Sequence, residues 1–365
     1  MTSNNIPTTM TGVILTGHGG FDKVEYRDDL QVPTPAADEV LIRVAAAGIN
    51  NTDINTRIGW YSKGVRGATG AESTTASDTR QDDDSSWSGT PLKFPRIQGA
   101  DCCGRIVAVG MNVDAKRISE RVLVRTILRH YVHGRPYECW TFGSECDGAF
   151  AQYTVAPAQE TYKVVCDWSD VELGSIPCAY STAENMLHRA NVKSGENVLI
   201  TGASGGVGAA AIQLAKRRGA HVVAIGGRDK SQQILALGAD QVVPRGESLA
   251  KHVEKETFDV VIDLVAGSTF VELLEVLKKG GRYAVAGAIA GPIVELDVRT
   301  LYLKDLSFFG CTCQEDEVFP NLISYIERGE IRPNVGKVYP LEDIVAAQEQ
   351  FLAKKTCGKL VLSIP

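Results

Sequence analysis

Apolar positions along the chain change their rhythm after about residue 166. Up to Lys163 they come in short alternating runs, Gly12–Thr16, Glu39–Ala46, Gly104–Val109, Arg121–Arg125 and Phe150–Val155, separated by glycine and proline. A period of two between such breakers predicts strands of an all-β, barrel-like domain over residues 1–166. From Val171 to Phe309 the apolar runs Val198–Thr201, Val222–Ile225, Gln241–Val243, Val260–Leu264 and Arg282–Ala286 alternate with stretches of helical spacing. That alternation predicts βαβ units and an α/β, doubly wound parallel sheet over residues 167–312. Residues 313–365 hold two further helices, Glu317–Arg328 and Leu341–Lys354, and a closing strand, Lys359–Ser363, and are expected to return to the first domain. Residues 62–89 break both rhythms. They are dominated by Gly, Ser, Thr and Asp, have no apolar pattern, and read as a flexible surface insertion.

Chemistry enters at residues 200–220, where a strand, a glycine-rich turn and a helix without breakers follow one another. Gly205 and Gly206 let a ligand approach the backbone. Gly208 lets the helix pack closely on the strand, and the free amides of the first helical turn attract anions. Ala203 stands at the first position of the G-x-G-x-x-G spacing. Thr201, Ala203, Ser204, Gly205, Gly206 and Val207 are therefore candidate dinucleotide contacts. The acidic residue that would bind the adenosine ribose is expected roughly 20 residues further on, where Gly227 stands. Arg228 and Lys230 follow it and suit a 2′-phosphate, so the expected cofactor is NADPH, with Asp229 as the alternative ribose contact for NADH.

Composition narrows the partners. The 365 residues carry a formal net charge of −6 with no concentrated basic stripe, which speaks against nucleic acid and anionic membrane surfaces. No run of about 18 apolar residues occurs and the first ten residues are polar, so a cytoplasmic protein is expected. Nine scattered cysteines suit reduced, mostly buried thiols.

The β domain, the Gly202-Ala-Ser-Gly-Gly-Val-Gly208 turn and the closing Gly358-Lys-Leu-Val-Leu362 together resemble the medium-chain dehydrogenase/reductase superfamily. The resemblance implies a GroES-like β-barrel catalytic domain built from both chain ends around a central Rossmann domain, with the active site between them. The zinc-dependent members hold their metal through Cys, His and Cys. Here Asn50 and Ala100 occupy the places matched to the first Cys and the His, and Cys178 alone is a possible ligand. One ligand of three does not hold tetrahedral zinc, and Cys139 and Cys146 are too few for a structural zinc lobe. The run Gly48, Ile49, Asn50, Asp53, Arg57 and Gly59 instead resembles the zinc-independent, quinone oxidoreductase-like branch.

That branch implies NADPH-dependent reduction of quinones or of the C=C bond of α,β-unsaturated carbonyl compounds. Asn50 is the expected polar substrate contact, with Tyr61, Tyr180 and Thr52 as candidate proton or hydrogen-bond donors. Asp53 and Arg57 are expected to pair as charges. By the same resemblance Arg245, Gly287, Ala288, Phe308, Phe309 and Lys359 lie near the cofactor, and the strand around Leu306–Thr312 pairs a homodimer. Two other readings stay open: a metal-free alcohol or aldehyde dehydrogenase using NADP, and a cofactor-binding relative without turnover.

Overall fold

The structure is a computed structural model and describes residues 6–69 and 85–365. Its centre is a six-stranded parallel sheet in the spatial order Gln241–Pro244, His221–Gly226, Asn197–Ile200, Phe258–Asp263, Leu277–Val285, Ser307–Gly310. The apolar residues Val198, Leu199 and Ile200 are fully buried, as a strand covered on both faces requires. The chain order of the strands reverses between Asn197–Ile200 and Phe258–Asp263, so the crevice beyond their carboxyl ends is the doubly wound sheet's ligand position. Helix Gly206–Arg217 leaves that crevice. Its Ala-rich run buries one face on the sheet, and Lys216 and Arg217 complement the dipole at its end.

The second layer of the molecule is built from both ends of the chain. Strand Glu39–Gly48 pairs with Cys103–Val109, with Tyr153–Pro157 and with the C-terminal Lys359–Ser363, whose Val361 faces Gly48. Val335–Pro340 extends the same sheet. A separate three-stranded sheet holds Thr9–Leu15 between Val24–Gln31 and Arg96–Ile97. Strand Val24–Gln31 escaped the sequence pattern because nearly all its side chains are exposed, leaving no apolar alternation to read.

Two expectations change. Residues 313–333 add no strand to the β domain: helix Val318–Glu327 packs on helix Pro177–Arg189, and Phe319, Leu322 and Ile326 join the core that covers the nucleotide sheet, while Gln314 and Asp316 meet Arg125 and Arg129 of the β domain. The return begins at Val335. The insertion also differs from its expectation at both ends. Ser85 and Ser86 are buried, and Trp87 packs on Tyr61 with ring centroids 4.6 Å apart. A segment without a core of its own is ordered here by borrowing one. Residues 70–84 of that segment lie outside the described residues.

Candidate active site

The glycine turn adopts the geometry its sequence requires. Gly202 has φ +61°, a conformation that favours glycine, and turns the chain out of the sheet. A Cβ on Gly208 would lie 2.3 Å from the Gly202 carbonyl oxygen, so helix and turn can meet only at a glycine. The first intrahelical bond runs from the Ala209 amide to the Gly205 carbonyl (2.9 Å), leaving the amides of Gly206, Val207 and Gly208 ahead of it. This cradle fits a pyrophosphate.

Other candidate cofactor residues divide into available and committed groups. Arg245 is exposed just beyond strand Gln241–Pro244. Arg228 is exposed and paired with Glu247, which also meets His252 at 2.8 Å. Gly227 follows strand His221–Gly226 and brings no carboxylate of its own, although a Cβ there would lie 2.6 Å from Asp229 Oδ1. Lys230 is buried, and its ammonium donates to the carbonyls of Lys354 (2.5 Å) and Thr356 (3.1 Å). It ties two loops together instead of facing a phosphate. The Thr201 hydroxyl donates to Asp263 (2.6 Å) and accepts from the Leu264 amide, which gives it a structural task. Ala203 is buried, and Ser204 accepts the Gly358 amide through its carbonyl. Gly287 is pressed against the Leu264 carbonyl, with Ala288 next to it in the loop that follows Leu277–Val285. Phe308, partly exposed on the edge strand, stacks on Tyr283 at 5.1 Å, whereas Phe309 packs into the core.

Across the cleft, a buried polar cluster stands where the ligand-like motifs converge. Lys359 lies on the C-terminal strand, Asn50 at the start of helix Asn51–Arg57, and Asp101 just before strand Cys103–Val109. The Lys359 ammonium donates to Asp101 Oδ2 (2.8 Å), Asn50 Oδ1 (2.6 Å) and the Ile49 carbonyl (3.0 Å). Asn50 Nδ2 donates to Asp101 Oδ2 (2.8 Å) and the Gly48 carbonyl (3.2 Å), and the Cys178 amide donates to Asp101 Oδ1 (2.5 Å). All three lysine protons and both amide protons are used. Asn50 therefore has no amide hydrogen left for a substrate, contrary to expectation. Lys359 likewise turns its ammonium to this cluster, and only its stem approaches the cofactor turn: a Cβ on Gly206 would lie 2.6 Å from Lys359 Cδ.

Asp53 accepts from the Asn50 amide (2.7 Å) and the Ala100 amide (3.3 Å), and burial pushes its carboxyl up to about 7. It does not pair with Arg57, which donates to Gln348 Oε1 (3.1 Å) and the Gly19 carbonyl (2.8 Å). Tyr180 is also reassigned: its hydroxyl donates to the Arg332 carbonyl (2.5 Å) and accepts from Gln213 Nε2 (3.0 Å), away from the cleft.

Thr52 is the expected donor that faces the cleft. It lines the cleft with Trp87 and Thr141 of the β domain, opposite Thr182, Ala286 and Thr312. Its oxygen accepts from Tyr61 OH (3.2 Å) and Trp87 Nε1 (2.9 Å). A hydroxyl that accepts twice still has its own proton to donate. Burial pushes the Tyr61 phenol up, so it stays protonated and able to donate. Trp87, Asp101 and Thr182 were missed from the sequence. Asp101 had a signal, an acidic residue next to the position matched to a metal ligand, but Trp87 sits in a stretch with no pattern.

Among the described residues, no group of three or more His, Cys, Asp or Glu side chains is placed to hold a metal ion. No helix there is long and apolar enough to cross a membrane.

Residues 36–166 match the alcohol dehydrogenase GroES-like domain and residues 206–328 the zinc-binding dehydrogenase domain. A quinone oxidoreductase of Sus scrofa is 30% identical, with 97% of each chain covered. The chain belongs to the medium-chain dehydrogenase/reductase superfamily, in its quinone oxidoreductase-like part. An acryloyl-coenzyme A reductase of Metallosphaera sedula is 29% identical over 97% of this chain and all of that one. Among solved structures, a putative alcohol dehydrogenase from Sinorhizobium meliloti is 44% identical with a TM-score of 0.87, covering 99% of this chain and 98% of that one. The architecture is thus a GroES-like domain beside a Rossmann-like parallel sheet, and this medium-chain dehydrogenase/reductase is an oxidoreductase whose family binds a nicotinamide cofactor.

Proposed function

We propose that this chain is an NADPH-dependent, zinc-independent reductase of α,β-unsaturated carbonyl compounds or quinones. The observation that carries the reading is the Lys359 ammonium, 2.8 Å from Asp101, amid the positions matched to metal ligands. The three matched positions offer an amide at Asn50, a methyl group at Ala100 and a single thiol at Cys178, with the Lys359 ammonium among them. An ammonium already neutralises Asp101 and repels a divalent cation, so the residues do not fit tetrahedral zinc. Without a Lewis acid, stabilising an alkoxide is demanding, whereas conjugate reduction needs only a hydrogen-bond donor at an enolate-like oxygen.

The amides of Gly206–Gly208 would hold the cofactor pyrophosphate, and Arg228 and Arg245 would lie at its 2′-phosphate end. When bound, the nicotinamide supplies a hydride. Thr52 orients the substrate oxygen and offers its own proton there, with Tyr61 and Trp87 polarising its hydroxyl. Lys359, Asp101 and Asn50 hold the start of helix Asn51–Arg57 in place, and with it Thr52. The names of the relatives, an acryloyl-coenzyme A reductase and quinone oxidoreductases, support both acceptor classes. The partly exposed edge strand Ser307–Gly310, beside exposed Val298, Tyr302 and Leu303, supports a homodimer.

The test is a panel of enones, quinones and alcohols with NADPH, NADH and the oxidised cofactors, with metal analysis of the same sample. NADPH consumption by enones or quinones that chelators do not affect supports the reading. Tightly held stoichiometric zinc whose removal abolishes turnover overturns it, and alcohol oxidation alone favours the dehydrogenase alternative.

A further inference from the structure

Both described ends of the insertion reach the cleft, from opposite sides. On the ascending side, the Thr69 amide donates to the carbonyl of Ile289 (3.1 Å), in the loop of the nucleotide domain that follows Gly287 and Ala288. The Thr69 hydroxyl donates to Asn55 Oδ1 (3.2 Å), on the helix that carries Thr52. On the descending side, Ser85 is fully buried against His18 Nε2 (2.8 Å), whose Nδ1 lies 2.9 Å from the Thr56 carbonyl. The Ser88 amide donates to Glu145 Oε1 (2.9 Å), and the other oxygen of that carboxylate accepts the Thr141 amide (2.8 Å). Between these anchors Trp87 enters the cleft, held by its stacking on Tyr61 and by its bond to Thr52. Trp87 is thereby fixed on both sides, in ring plane and in backbone.

The space it leaves is small. Trp87, Thr52, Cys178 and Thr312 bound a cavity of about 40 Å³, and the indole forms one side of it. Its rim is rich in hydroxyls, with Thr126, Thr141 and Thr182 beside the two threonines already named.

We propose that Trp87 is the specificity-determining wall of the substrate cleft and narrows it so that short acyclic α,β-unsaturated carbonyl compounds are favoured over ring quinones. This rests on the reductase reading and narrows it. The wall comes from a segment that lacks a core of its own, so its position depends on the anchors at Ser85, Ser88 and Thr69.

The experiment compares kcat/KM for methyl vinyl ketone and for naphthoquinone, with NADPH, in the wild type, Trp87→Ala and Trp87→Phe. The wild type is expected to favour the short enone. Trp87→Ala shifts the ratio toward the quinone by at least about tenfold, the scale of discrimination by pocket size. Trp87→Phe keeps the wild-type preference but loses rate on both acceptors, because the ring remains and the donor to Thr52 is gone. An unchanged ratio in Trp87→Ala overturns the proposal, as does a wild type that takes both acceptors equally. A wild type that turns over neither acceptor overturns the reductase reading, and the wall is then decided without turnover. Cys178 lines the same cavity, so its labelling by iodoacetamide and by a bulky maleimide is followed by peptide mass spectrometry. Trp87→Ala should speed the maleimide reaction by about tenfold relative to the iodoacetamide reaction, and equal relative rates in wild type and variant overturn the wall.

Discussion

Lys359 and Asp101 stand 258 positions apart in the chain and meet at 2.8 Å in the interior, one 4% and the other 0% exposed. Breaking such a pair leaves a buried charge without its partner, which costs about 3–5 kcal/mol. Lys359→Met and Asp101→Asn should each lower stability on that scale, and the double variant should lose clearly less than their sum. Urea unfolding of the four proteins measures the coupling; simple additivity would mean that the pair does not act as a unit.

Thr52 and Tyr180 separate a proposed chemical role from a structural one. Thr52→Val removes the hydroxyl proton and is expected to lower kcat by about a hundredfold, within the range of general acid catalysis. Tyr180→Phe should leave kcat unchanged and cost about 1 kcal/mol of stability through its bond to Arg332. Steady-state kinetics and thermal unfolding of both variants check this, and a large loss of kcat in Tyr180→Phe would restore that residue to the site.

The proposed preference for NADPH rests on Arg228, which is exposed beside Gly227 and paired with Glu247. Arg228→Ala should raise the KM for NADPH by about tenfold, the worth of one charge-assisted hydrogen bond, and that for NADH by much less. An equal rise for both would assign the ribose to Asp229 instead.

Burial raises the Asp53 carboxyl to about 7. The folded protein then keeps a proton that the unfolded chain has released, over the window from about pH 4 to about pH 7. Stability should therefore fall as pH rises through that window. Asp53→Asn should flatten this part of the profile. Thermal midpoints of both proteins across the window test it, and parallel profiles would show that Asp53 is ionised throughout.

Much of the fold was legible because it depends on near neighbours. The strand, Gly202–Gly208 turn and helix follow from residue spacing, and the missing metal ligands at Asn50 and Ala100 are visible position by position. Strand Val24–Gln31 was not legible, since its exposed side chains carry no alternation. Helix Val318–Glu327 was legible as a helix but not in its placement, because an apolar face does not name the face it will meet.

The residues of the cleft show where local pattern stops. Spacing alone determined that a glycine turn joins strand to helix at residues 202–208 and that Asn50 and Ala100 stand at the first metal-like positions. Only the tertiary structure decided that Lys359 takes up the hydrogen bonds of Asn50, that Lys230 and Tyr180 serve distant carbonyls, and that Trp87 and Tyr61 converge on Thr52. The reason is physical: a buried polar group must find a partner wherever packing brings one, and that partner belongs to a strand or loop whose distance along the chain carries no signal.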